Sequence, residues 1–304
     1  MKLAYDVPEW RKIRLIINSD AKNEADDQYA IVHALLTPRF RIRGIIGAQF
    51  ENTARFSGRQ NTMQQSVDEI EKILELMELQ GEIPVLMGAA EGLKDEQTPQ
   101  PSEGAELIIR EALADDPAPL YVVFMGPLTD MASALLLRPE IAERLTVIWI
   151  GGEQYPHGGW EYNLFNDIHA ANVVFSSQVK LWQVPRNVYS TMRVSLAELI
   201  HRVRPCGAIG RYLVDQLIEF NNAVTYPEWP KGEMWSLGDS PCISLLLDEH
   251  EYHYTYKQAP RITSDMYYVH DGKHREIRVY HYVDPRFTLE DLFAKLALHY
   301  PRAD

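Results

Sequence analysis

The sequence predicts an α/β protein with a mainly parallel, open sheet, helices on both of its faces, and an elaborated C-terminal part. Three observations carry this. Short apolar runs alternate with longer helical periods over roughly the first 190 residues, which is the signature of successive βαβ units. Those runs are continuously apolar rather than alternating, as in strands covered on both faces. Beyond about residue 190 the alternation gives way to helices, an aromatic stretch and late strands.

The elements follow in order. Residues 13–18 (IRLIIN) predict the first strand and 42–47 (IRGIIG) the second; 84–87, 120–125, 146–150 and 179–184 supply four more. Between them, residues 26–36 place Ala30, Ile31, Ala34 and Leu35 on one helical stripe, and 67–79 place Val67, Ile70, Ile73, Leu74 and Met77 likewise. Residues 105–113 and 128–137 share that period. Later helices are expected at 196–203, 208–220, 240–247 and 289–298, and strands of an added hairpin or edge at 252–256 and 277–283. No linker, repeat or low-complexity tract interrupts the 304 residues, so residues 1–304 are expected to form a single domain.

Composition narrows the function. Asp and Glu outnumber Lys and Arg by 43 to 30, a net charge of -13. That balance disfavours nucleic acid and anionic membranes and suits small uncharged substrates or cations. No apolar run reaches the length of a membrane span, and the N-terminal residues lack an uninterrupted signal-peptide core, so a cytoplasmic location is expected. The two cysteines, Cys206 and Cys242, have no CxxC spacing and read as reduced thiols.

In open α/β sheets, ligands bind beyond the carboxyl ends of the strands. After the first run stand Asp20, Glu24, Asp26 and Asp27, four carboxylates within eight positions. Helix capping accounts for one or two of them. Four together repel unless a cation or protons intervene, so metal binding or acid–base work is the favoured reading. Hard divalent cations take oxygen ligands. More oxygens follow the fourth run at Gly126-Pro127-Leu128-Thr129-Asp130, and others lie at Gly238-Asp239. Asp239 taken alone reads as a helix N-cap. After the fifth run come Gly151-Gly152-Glu153 and then Trp160-Glu161-Tyr162-Asn163. On an extended segment Glu161 and Asn163 would point the same way and could bind sugar hydroxyls; a solvated turn is the equal alternative.

Taken together, these segments resemble the nucleoside hydrolase family, the inosine–uridine-preferring type of nucleoside N-ribohydrolases. IINSDAKNEADDQYA resembles its acidic opening motif, and GEIPVLMGAAEGL its IPV segment. VVFMGPLTDMASAL is similar to its GPLTN segment, with Asp130 for Asn. IGGEQ, WEYNLFNDIHAANVVF, GDSPCISLLL and VYHYVDPRFTLEDLFAKL resemble later family segments in the same order. The resemblance implies a nucleoside hydrolase-like fold, Ca²⁺, and hydrolysis of the N-glycosidic bond of a nucleoside or related N-riboside. It implies Asp20 as general base and metal ligand, Asp27 as main metal ligand, and Thr129 as a ligand through its carbonyl. Asp239 would complete the metal ligands and reach the ribose, whose hydroxyls Asp26, Glu161 and Asn163 would hold. A homodimer or homotetramer is the expected assembly.

Departures from the family pattern bear on the substrate. Five residues separate Asp20 from Asp26 where three are usual, which implies a two-residue insertion; without it Lys22 would fall at the base position. Glu24 is a further possible ligand. Gly238 stands where a leaving-group His is often found, leaving Glu153, Tyr155 and His157 as candidate acids, or Tyr226, Trp229 and Trp235 as rings to stack on the base. Gln49, Glu51 and Asn52 compete for the family's Asn after the second strand, in a polar segment 49–65 longer than usual. The alternative function is a weak or inactive ribose- or nucleoside-binding protein that keeps the metal site. A phosphatase is disfavoured, because no Lys or Arg cluster accompanies the acids.

Overall fold

The computed structural model describes residues 6–224, 232–248, 250 and 252–300. Strand β1 (Ile13–Ser19) leads to helix α1 (Asp27–Leu35) and β2 (Phe40–Gly47). Then come α2 (Glu51–Ala54), α3 (Thr62–Leu76), β3 (Val85–Met87), α4 (Glu103–Leu113), β4 (Leu120–Phe124), α5 (Thr129–Leu137) and β5 (Thr146–Ile150). Helices α6 (Tyr162–Asn166) and α7 (Ile168–Ser176) precede β6 (Lys180–Val184). The C-terminal part contains α8 (Arg186–Tyr189), β7 (Arg193–Ser195), α9 (Leu196–Arg202), α10 (Gly207–Ala223), β8 (Met234–Ser236) and α11 (Pro241–Ser244). Strands β9 (Tyr254–Gln258), β10 (Arg261–Ile262), β11 (Tyr268–Val269) and β12 (Glu276–Tyr280) precede the last helix, α12 (Pro285–His299).

Eight strands form one sheet in the order β3-β2-β1-β4-β5-β6-β12-β9. Every neighbouring pair is parallel except β12 with the edge strand β9. Successive residues of each central strand feed opposite cores. Leu15, Ile17, Ile45 and Val123 pack with α1, α3, α10 and α12 on one face. Ile16, Ile46, Val122 and Phe124 pack with α4, α5 and α7 on the other. This double coverage is why the strand sequences are apolar runs rather than alternations.

The differences from expectation have local causes. Helix α12 begins at Pro285, before its apolar stripe, because Asp284 caps it by accepting the Arg286 and Phe287 amides at 2.8 and 3.2 Å. Pro at the first helical position needs no donor there. Helix α7 shows no stripe in the sequence, since Ala170 to Phe175 are all buried. Helix α3 starts earlier, at Thr62, in a polar turn. The expected helix at 240–247 is helical only over Pro241–Ser244. Both cysteines are buried and unbridged. Among the described residues no helix is long and apolar enough to cross a membrane.

One buried histidine makes the packing of α1 on α12 sensitive to pH. His33 is fully buried; its Nε2 lies 2.7 Å from Asp291 Oδ2, and its Nδ1 has no partner. Burial holds its imidazole below the usual value, against the pull of Asp291. Lys295 and Thr37 complete the cluster. Below the unfolded imidazole's pKa of about 6.5 the unfolded chain binds a proton the folded one resists, so stability falls as pH drops through that range. We expect the melting temperature to fall less between pH 7.5 and 5 in His33→Gln than in the wild type. Equal falls in both proteins refute this.

Candidate active site

The chain leaves β3 by α4 and returns as β4 on the far side of β1, so connections from β1 and β4 run in opposite directions. That is the switch point at which an open sheet forms its ligand crevice. Asp20 follows β1 directly, and Gly126 follows β4; a Cβ on Gly126 would lie 2.9 Å from the Asp20 carboxyl carbon. Only glycine lets the second loop approach so closely.

The acidic loop converges with the turn before α11. Asp26, Asp27 and Asp239 offer carboxylate oxygens all within 4.8 Å of one another. Asp20, Asp26, Asp27 and Asp239 are 2%, 8%, 2% and 5% exposed. Asp26 precedes α1 but makes no side-chain cap to it; its Oδ2 instead accepts the Gly238 amide at 2.8 Å. Asp27 accepts from the Ser19 hydroxyl at 2.5 Å and has a carboxylate oxygen within 4.8 Å of one from Asp239. Ser240, not Asp239, occupies the α11 N-cap position. Capping therefore explains neither Asp26 nor Asp239.

The acids carry large mutual repulsion. Burial raises Asp20 well above the usual carboxylate range, and the Asp27 charge adds to it. Burial raises Asp239 likewise, with Asp26 and Asp27 next in weight. Asp26 is pushed up to about 6 by burial, opposed by main-chain amides that include those of Gly238 and Asp239. Asp27 is pushed up to about 7 by burial and by Asp26. Glu24, half-buried, is raised by burial and by Asp26, Asp27 and Glu161, with Arg186 opposing. Such a group of oxygens fits a hard cation, which takes carboxylate ligands and supplies the missing counter-charge.

Lys22 does not enter this cluster. Its Nζ pairs with Glu69 at 3.0 Å, so the longer loop keeps Asp20 at the strand end among the acids.

Glu161 and Asn163 correct one expectation. Residues 162–166 are helical, and the extended segment ends at Glu161, the N-cap of α6. The two side chains are brought together by capping rather than by strand alternation. Glu161 accepts the amides of Gly152, Asn163 and Leu164 at 2.7, 3.2 and 3.0 Å and the Tyr189 hydroxyl at 2.9 Å. Asn163 Nδ2 donates to the Met125 and Ile150 carbonyls at 3.0 and 2.8 Å, tying the ends of β4 and β5. Thr129 opens α5; its hydroxyl donates to Asp167 at 2.8 Å and accepts from Gln49 at 3.3 Å. Asp130 is tied to Asn18, Ser102 and the Ala89 amide at 2.8, 2.5 and 2.9 Å.

Among the three polar candidates after β2, Gln49 lies beside Thr129. Glu51 receives the Thr62 amide at 3.0 Å, and Asn52 donates to the Phe165 carbonyl at 3.0 Å. Tyr189 fills the space beside Gly238, where an added Cβ would meet its ring at 2.9 Å. Glu153 pairs with Arg186 at 3.1 Å. Tyr155 packs on Tyr268 with its hydroxyl buried and unpartnered, and His157 is exposed. Trp235 is a core residue packed edge-on to Phe220 and is not placed to stack on a ligand. Tyr226 and Trp229 lie outside the described residues.

Sequence reasoning did not single out Ser19, which donates to Asp27, Asn23, which donates to Asp20 at 2.9 Å, Thr53 and Asn166, which bond to one another beside Asn23, or Tyr189, which donates to Glu161. Ser19 and Asn23 stand inside the acidic segment and could have been found there. The others have no local signal, because their roles come from contacts across the fold.

Buried, mutually repelling carboxylates at the switch point of an open parallel sheet are the mark of an α/β enzyme site. The model of the inosine-uridine preferring nucleoside hydrolase family matches residues 15–288, and the chain belongs to that family. It is 26% identical over 241 residues to the pyrimidine-specific ribonucleoside hydrolase RihA of Salmonella arizonae, covering 71% of this chain and 72% of that one. Its fold matches the purine-preferring ribonucleoside hydrolase of Gardnerella vaginalis with a TM-score of 0.72 at 19% identity, over 94% of this chain and 99% of that one. A plant nucleoside hydrolase matches with a TM-score of 0.71 at 18% identity, over 93% and 98%. Membership makes the chain a ribonucleoside hydrolase, an N-glycosidase. The relatives differ in the base they are named for, so membership sets the bond that is cut and not the base.

Proposed function

We propose that this protein hydrolyses the N-glycosidic bond of a ribonucleoside or related N-riboside in a Ca²⁺-dependent reaction, giving free base and ribose. The observation that carries this is the buried trio Asp26, Asp27 and Asp239 beside Asp20 at the ends of β1 and β4. Asp20, Asp27, Asp239 and the Thr129 carbonyl would hold the ion. When bound, Ca²⁺ supplies counter-charge to the carboxylates and lowers the pKa of a water. Asp20 takes the proton of the attacking water as general base. Asp26 and Asp239 accept from ribose hydroxyls, as does Asn163 through its amide oxygen, since both its N–H groups are engaged by main-chain carbonyls. Glu161, each of whose oxygens already accepts two donors, would take a ribose hydroxyl in place of that of Tyr189. Holding the sugar this way fixes the attack geometry. As the base departs, positive charge builds on the anomeric carbon, and the fixed carboxylates stabilise it in a water-poor crevice.

The chain is read as one cytoplasmic domain that assembles as a homodimer or homotetramer.

The test is release of reducing sugar from inosine, uridine, adenosine, cytidine and nicotinamide riboside, with and without a strong chelator. Turnover of at least one substrate, lost with chelator and restored by Ca²⁺, is expected. Stoichiometric calcium binding with no turnover of any of them would leave a ribose-binding protein instead.

A further inference from the structure

Two places where the sequence departs from its family meet in one hydrogen-bonded chain. Asn23 lies in the longer loop between Asp20 and Asp26, and its Nδ2 donates to Asp20 Oδ2 at 2.9 Å. The Thr53 hydroxyl, from α2 in the long segment 49–65, has Asn23 Oδ1 as its shortest acceptor at 3.0 Å, ahead of the Phe50 carbonyl at 3.1 Å and Asn166 Oδ1 at 3.3 Å. The Thr53 amide donates in turn to Asn166 Oδ1 at 3.0 Å. All three side chains are buried, at 7%, 4% and 1% exposure for Asn23, Thr53 and Asn166.

Donor and acceptor chemistry sets the orientation of both asparagine amides. A main-chain N–H can only donate, so Asn166 must present its oxygen to Thr53, and its Nδ2 is left buried without a partner. Ionised Asp20, the form a general base needs, can only accept, so Asn23 turns its nitrogen to Asp20 and its oxygen to Thr53. The same segment clamps the loop from outside. The Arg59 guanidinium donates to the Asn23 carbonyl at 3.1 Å and to the Lys22 carbonyl. Asn166 keeps a buried amide unsatisfied in order to hold Thr53, an arrangement with an energetic cost.

We propose that Asn23, Thr53 and Asn166 form a positioning relay that aims the Asp20 carboxylate at the attacking water. The longer loop after β1 and the long segment after β2 act as a pair: one supplies the amide that grips Asp20, the other the hydroxyl that orients that amide. Both Asn23 and Thr53 are positioning residues, because they act through Asp20. The inference rests on Asp20 being the general base.

The test uses Thr53→Val, which keeps the shape and removes the hydroxyl, and Thr53→Ser, which keeps the hydroxyl. Steady-state hydrolysis of the best ribonucleoside substrate and melting temperature are measured for both at saturating Ca²⁺. Misaiming a reacting group costs up to about a hundredfold, and for Thr53→Val we expect kcat to fall about tenfold with KM within about twofold. Thr53→Ser restores kcat even where its melting temperature is as low as that of the valine variant. A kcat for Thr53→Val equal to the wild type overturns the relay. So does a loss that follows melting temperature and is not rescued by serine. A wild type active with Asp20→Asn equally active overturns the base assignment and the relay with it, whereas an inactive Asp20→Asn beside an unimpaired Thr53→Val removes the relay alone.

Discussion

Asp20→Asn hydrolyses ribonucleosides about 10³-fold more slowly than the wild type while remaining folded, within the range that loss of a general base brings. The substitution is nearly isosteric, which matters because Gly126 leaves no spare room beside Asp20. The new amide oxygen can still accept from Asn23. What disappears is a group able to take a proton. One of several mutually repelling buried carboxyls disappears with it, so the melting temperature of the calcium-free variant should equal or exceed that of the wild type. The proposed ligand set includes Asp20, so calcium affinity falls too, and turnover is compared at saturating Ca²⁺. A variant that keeps more than a tenth of wild-type kcat would move the base to another residue, with Glu24 the next carboxyl along the loop.

Asp239→Asn separates stability from function. In this variant hydrolysis is expected to fall at least about a hundredfold and calcium binding to weaken, since transition-state contacts and a metal ligand go together. The chelator-treated protein should nonetheless melt higher than the chelator-treated wild type. Asp239 is buried against Asp26 and Asp27, whose charges disfavour its ionised form. An amide there can donate to Asp27 and removes the repulsion. Each kcal/mol so gained raises the melting temperature by about 1.5 °C in a chain of this length. Saturating Ca²⁺ reverses the ranking, because an ion bound only to the folded state stabilises it by about 2.7 kcal/mol at a hundredfold excess over Kd. Melts with chelator and with Ca²⁺ decide the matter. If the variant is the less stable protein under both conditions, Asp239 is a structural residue and not a ligand strained for function.

Much of the site was legible because it is local. Asp20, Asp26 and Asp27 stand within eight positions at the end of an apolar run, and a strand end in a parallel sheet is where ligands bind. Helix-capping alternatives could not be dismissed from the sequence. They fell only when Asp26 was found bonded to the Gly238 amide, 212 residues away. The partner of Lys22 is similarly remote: Glu69, on α3, draws the lysine out of the acidic cluster and leaves Asp20 in place.

Glu161 and Asn163 show the reverse case: the sequence singles them out, and the structure gives them a different geometry. Period-two reasoning placed them on an extended segment. Glu161 caps α6 by accepting the Asn163 and Leu164 amides, and the turn it starts sends Asn163 toward the ends of β4 and β5. Trp235 looked like a ring available for stacking and is a core residue, because its segment, β8, pairs with β7 and turns the indole onto Phe220.

The sequence by itself determined the sheet, its two-sided burial and the acids at its switch point, because periodicity and strand-end chemistry are properties of neighbours along the chain. The tertiary structure alone decided which carboxylates share one buried space, that Tyr189 occupies the place beside Gly238, and that Thr53 and Asn166 reach Asp20 through Asn23. Those facts depend on loops from distant strands meeting at one end of the sheet, where burial removes the water that would otherwise screen the charges and satisfy the polar groups.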